Sequence, residues 1–108
     1  MPHIFVTVWY PTDKVPEVVK IWFQSMKKYP TDESLGETVV NAVTTATKDG
    51  LKTVSVSVPK EGKLEESLTR TTAMMAMFQP IQGFSYSIEL YTSAEESLAA
   101  IGMKMPEE

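Results

Sequence analysis

Residues 3–10, His3-Ile4-Phe5-Val6-Thr7-Val8-Trp9-Tyr10, form the most strand-like run in the chain and constrain the fold more than any other stretch. Side chains alternate between the two faces of a strand. Ile4, Val6 and Val8 make an aliphatic face that suits a layer of helices. His3, Phe5, Thr7 and Trp9 make a second face, mixed and aromatic. A half-open antiparallel sheet normally turns polar residues outward. Phe5 and Trp9 are too apolar for that, so a cover is expected: a second subunit, a ligand, a nucleic acid, or the chain's own C-terminal segment.

Beyond this strand, Pro11-Thr12-Asp13 interrupts the pattern, with Thr12 or Asp13 available as helix cap and Pro16 tolerated in the first turn. Val15, Val18, Val19, Trp22, Phe23 and Met26 repeat at helical spacing up to about Tyr29, where Pro30 stops the helix, and this stripe reads as core. Residues 37–58 read as a hairpin closed by Asp49-Gly50, a pair suited to the positive φ of a tight turn. With that turn, Thr45 faces Val54, Val43 faces Val56 and Ala42 faces Ser57. The valines Val39, Val43, Val54, Val56 and Val58 then go to the helix side. Thr38, Val40, Ala42, Thr44, Ala46, Ser55 and Ser57 go to the open side.

A second helix is expected over residues 63–79, with Leu64, Leu68, Met75 and Phe78 inward and Met74 and Met77 widening the stripe. Methionine adapts to irregular surroundings, so this helix suits either a core or the wall of a ligand pocket. The last strand spans 84–91, with Phe84, Tyr86, Ile88 and Leu90 on the helix side and Ser85, Ser87, Glu89 and Tyr91 on the other. Ser93 followed by Glu96 is a capping box opening a short helix that Gly102 ends; residues 103–108 read as a loose tail.

The order strand, helix, strand, strand, helix, strand, small helix predicts an α+β chain of ferredoxin-like βαββαβ pattern. It forms one domain over residues 1–108 with a four-stranded antiparallel sheet of order 4-1-3-2. The first and third strands are then central, placing Phe5, Thr7, Trp9, Ser55 and Ser57 in the middle of the open face. With that strand order, the aromatics beside small residues, and the ending Gln82-Gly83-Phe84-Ser85-Tyr86-Ser87-Ile88-Glu89-Leu90-Tyr91 before a capped helix, the chain resembles the dimeric α+β barrel families, such as the antibiotic-biosynthesis monooxygenase-like and stress-responsive barrel groups. The resemblance implies that two open sheet faces meet in a closed barrel. It carries no active-site signature across.

Composition narrows the chemistry. The absence of cysteine excludes disulfides, thiolate metal sites and a thiol nucleophile, and a single histidine excludes a histidine-based metal cluster within one chain. A net charge of −4 and a lone arginine, Arg70, argue against a nucleic-acid surface, which needs a basic stripe. No apolar run reaches the ~20 residues of a membrane span. No signal-peptide pattern opens the chain, so a cytoplasmic location is expected.

The first functional reading is a small homo-oligomer, a ligand-binding or assembly module using the open face: Phe5, Thr7, Trp9, Ser55, Ser57, Ser87 and Tyr91. No cofactor or metal is expected for it. The second, implied by the resemblance, is a cofactor-free or haem-linked monooxygenase or isomerase, with His3 as base or ligand and Glu89 and Tyr91 as polar partners. Against it, His3 equally fits an exposed strand start, and a charge such as Glu89 on an edge strand discourages pairing between sheets. The third is an RNA-recognition-type module stacking bases on sheet aromatics. For that, the third strand offers Ser55 and Ser57 where aromatics belong.

Overall fold

The computed structural model describes residues 1–106. Strand β1 (His3–Tyr10) leads through a 3-10 turn (Thr12–Lys14) into helix α1 (Val15–Lys28). Strands β2 (Gly36–Thr47) and β3 (Gly50–Pro59) follow as a hairpin, then helix α2 (Leu64–Ala76), strand β4 (Ser85–Tyr91) and helix α3 (Ala94–Ala100). The sheet is four-stranded and antiparallel, of order β2-β3-β1-β4, which is 4-1-3-2 counted from the other edge. No helix among the described residues is long and apolar enough to cross a membrane. Of the expected C-terminal tail, residues 107 and 108 lie outside the described residues.

Local signals account for several boundaries. Pro16 sits in the first turn of α1, where its missing N–H is not needed, and no side chain caps that helix, contrary to the role expected of Thr12 or Asp13. The Ser93–Glu96 capping box is formed in both directions. Its carboxylate also pairs with the N-terminal ammonium at 3.0 Å, tying α3 to the start of β1.

The hairpin closes one position earlier than expected. Thr47 pairs with Gly50, so the loop is Lys48-Asp49, and Gly50 opens β3 at φ +134°. Gly50 must be glycine for two reasons: its φ is positive, and a Cβ there would collide with the Tyr10 carbonyl oxygen of the neighbouring strand. Further along, two irregularities in β2, between Thr38 and Val40 and between Val40 and Val43, each insert an extra residue against β3.

The faces of β3 are the reverse of those expected. Ile4 pairs with Ser57 and Val6 with Ser55, while Phe5 pairs with Val56 and Thr7 with Val54. Residues opposite each other share a face. Ser55 and Ser57 therefore lie under the helices, not on the open face, and Val54, Val56 and Val43 join Phe5, Thr7 and Trp9 on the open face. In β2, Val40 is on the open face as expected, but Thr38, opposite Ser57, and Thr44, opposite Thr53, are on the helix side, as is Ala46 opposite Leu51. The error has a physical source. Alternation fixes which residues of a strand travel together, but both faces of this sheet carry large apolar residues, so hydrophobicity does not say which set belongs under helices.

The helix layer is seated at one end of the sheet. Val18, Phe78 and Ile81 are buried there, with Tyr10, Ile21, Met75 and Phe84 packed around them. The Phe84 ring stacks on Phe78 at 4.9 Å and on Tyr10 at 6.1 Å. Toward β2 and β3 the packing thins. Trp22 is 39% exposed and Phe23 54%, so the expected core stripe of α1 is only half buried. Arg70 holds the far end together: its guanidinium donates to the Pro30 carbonyl oxygen and lies over the Tyr29 ring, 5.8 Å from its centroid.

Candidate functional site

Two regions stand out, one on each side of the sheet. The open face includes the cross-strand rows Val40-Val56-Phe5-Glu89, Val43-Val54-Thr7-Ser87 and Thr45-Lys52-Trp9-Ser85, with the His3–Tyr91 pair at one end. On it Trp9, Val43 and Tyr91 are 40%, 56% and 47% exposed. Phe5 and Tyr91 meet edge to face with ring centroids 4.6 Å apart. Thr7 and Val56 are already buried by their neighbours on this face. The Ser87 hydroxyl is buried without a hydrogen-bond partner. The C-terminal segment does not supply the missing cover, since Ile101, Met103 and Met105 remain exposed.

The three candidate catalytic residues gather at one end of this face. His3 and Tyr91 are cross-strand partners, and the Tyr91 hydroxyl donates to the Glu89 carboxylate at 3.1 Å. That hydrogen bond, and the negative charge behind it, push the Tyr91 phenol above its ordinary value of 10.0. The result is a neutral donor, not an activated phenolate. The His3 ring places Nδ1 3.1 Å from the Met1 carbonyl oxygen. Trp9 stands four residues along β1 from Phe5, about 13 Å away. None of the three lines either cavity described below. Among the described residues no group of three or more His, Asp or Glu is arranged to hold a metal ion.

The second region lies between the sheet and the helices. An inner chamber of about 460 Å³ is bounded by Val6, Val8, Ser55, Val19, Trp22 and Met74 among others. An outer mouth of about 360 Å³ opens between the end of α1, α2 and β2, where Asp32, Glu37 and Arg70 contribute charge. The two share Trp22, Thr38, Asn41, Ser57, Thr71 and Met74, so they adjoin and are together called the cleft. It exists because β3 turns small side chains, Thr53, Ser55 and Ser57, toward the helices. The methionines of α2 read in the sequence as either core or pocket wall, and Met74 and Met75 line this cleft. The contribution of β3 was missed because Ser55 and Ser57 were assigned to the opposite face.

Ser55 has a further task there. Its Oγ accepts the Ala42 N–H at 3.0 Å where β2 bulges and Ala42 takes φ +52°. Thr44 and Thr53 hydroxyls bond each other at 2.8 Å, and the Thr53 hydroxyl lies 3.4 Å from that of Tyr10. The polar atoms along the chamber floor are thus largely paired among themselves.

No protein-family model, curated protein or solved structure matches the chain.

Proposed function

We propose that the protein is a homo-oligomeric module of ferredoxin-like type in which two copies pack their open sheet faces together as a dimeric α+β barrel. The observation that carries this reading is surface. A monomer of 12.1 kDa ordinarily exposes about 6,000 Å², whereas this chain exposes 7574 Å². Its radius of gyration, 15.9 Å, exceeds the ~13 Å of a compact chain of this length. The excess of about 1,500 Å² per chain is the amount a subunit of an obligate assembly buries. On the open face Trp9, Val43 and Tyr91 are exposed, and the unpaired Ser87 hydroxyl there fits a contact from a second copy.

The reversal of β3 strengthens this reading. It sets Val43, Val54 and Val56 beside Phe5 and Trp9, so the face carries more apolar side chains than the expected register gave it, as suits an interaction site. A two-fold pairing of identical faces is the commonest closed arrangement. The oxygenase or isomerase reading draws no such support, because His3, Glu89 and Tyr91 line neither part of the cleft.

Light scattering tests the proposal. Wild-type protein is expected at a multiple of the chain mass. Trp9→Glu, which places a charge in the interface, is expected to shift it toward monomer. Phe23→Glu, on the helix layer, should leave the mass unchanged. A monomeric wild type at high micromolar concentration, or dissociation by Phe23→Glu alone, overturns it.

A further inference from the structure

We propose that the cleft between the helices and the β2–β3 half of the sheet binds an uncharged, mostly apolar small molecule of about twenty non-hydrogen atoms, a size suited to ligand pockets of this volume. The inference is independent of oligomerisation, since the cleft lies on the opposite side of the sheet from the proposed interface.

Three observations specify the ligand. First, among the described residues no Asp, Glu, Lys, Arg or His lines the inner chamber. A carboxylate, phosphate or ammonium would find no counter-charge there, and burying it unpaired would be strongly unfavourable. Second, the hydroxyls deep in the chamber are engaged, and those of Thr38, Ser57 and Thr71, which the chamber shares with its mouth, are the ones without such a bond among the described residues. Ser55 accepts from Ala42, Thr53 pairs with Thr44, and Ser25 donates to the Trp22 carbonyl at 2.7 Å. The ligand body is therefore held by apolar contact, with Trp22, Met74, Val6 and Val8 as walls. Third, polar side chains free to meet a ligand gather where the chamber meets its mouth, at Thr38, Asn41, Ser57 and Thr71. A single polar, uncharged end of the ligand belongs there, pointing toward solvent.

The construction of the cleft agrees with this use. The helices are anchored by the Phe84-Phe78-Tyr10 stack at one end and by Arg70 on the Pro30 carbonyl at the other. Between these anchors, short side chains on β3 and flexible methionines on α2 leave the space open and its walls adaptable. Unfilled apolar space destabilises a fold in proportion to its volume. An occupant that fills this one is therefore stabilising as well as bound.

The full-length chain can be titrated with N-phenyl-1-naphthylamine, an uncharged fluorophore, and with its anionic relative 8-anilinonaphthalene-1-sulfonate. Saturable enhancement at one neutral probe per chain is expected, with the anion binding at least tenfold more weakly. Thr71→Trp from α2 and Val19→Phe from α1 both project bulk into the chamber. Each is expected to lower neutral-probe affinity at least tenfold while light scattering shows an unchanged assembly. Trp9→Glu, on the other face, should keep the affinity. Methyl spectra of the wild type, which need no variant to fold, should show probe-induced shifts at Met74 and Met75. Absence of saturable binding, equal binding of the anion, or loss of binding in Trp9→Glu overturns the proposal. So do unaffected binding in both filled variants and methyl shifts confined to Val54 and Val56. A wild type found monomeric yet binding the neutral probe as described would overturn the assembly reading and leave this one standing.

Discussion

The Ser55 hydroxyl accepts the main-chain N–H of Ala42 at 3.0 Å, and Ala42 is the one non-glycine residue with positive φ among the described residues. A side chain on β3 thus fixes a strained bulge in the edge strand β2, at the rim of the cleft.

Ala42→Gly is expected to relieve that strain. An L-residue in the left-handed region is disfavoured by about 1–2 kcal/mol, and glycine gives back about half through its freer unfolded chain. A net gain of about 0.5 kcal/mol should appear in urea unfolding. Ser55→Ala should lose about 1 kcal/mol by leaving the Ala42 N–H without its partner. A destabilised Ala42→Gly protein would show that Ala42 is not held in this conformation.

Gly50→Val should be the most damaging change in the hairpin. It combines a β-branched residue at φ +134° with a collision against the Tyr10 carbonyl oxygen. A loss of about 2 kcal/mol or more is expected. Thermal melting checks it, and an unchanged midpoint would refute the β1–β3 register at this end.

Glu96 gives a pH dependence with a definite sign. The Ser93 N–H and the N-terminal ammonium hold its carboxyl below the ordinary 4.5. A carboxylate whose folded pKa is lowered contributes stability that is present above the unfolded pKa and lost as pH falls through the folded pKa. The loss should therefore appear below pH 4.5, and Glu96→Gln should flatten that part of the stability profile. A profile identical to wild type would mean that the capping box does not form in solution.

Arg70→Lys should not substitute for arginine. The guanidinium donates to the Pro30 carbonyl while lying over the Tyr29 ring, and its planar fork can serve both at once where a compact ammonium does so less well. Faster hydrogen exchange is expected at the end of α1 and the start of α2, with a stability loss of about 1 kcal/mol. Exchange unchanged in both segments would remove Arg70 from its clamping role.

Much of the architecture was legible in residue order alone. β1 runs over the residues that alternate, Pro30 follows the end of α1, and Ser93 with Glu96 caps α3. These are local signals: a period of two, a missing N–H, a hydroxyl three residues from a carboxylate. The methionines of α2 were compatible with either a core or a cleft wall, and Met74 and Met75 line the cleft. The register of β3 was not legible, nor were the two extra residues in β2, because pairing is a relation between distant segments. With large apolar residues on both sides of the sheet, no residue of β3 announces which side will meet the helices. Only the pairing of Ile4 with Ser57 decided that. Serines on that side opened the cleft, and valines on the other made the face that a second copy is proposed to cover.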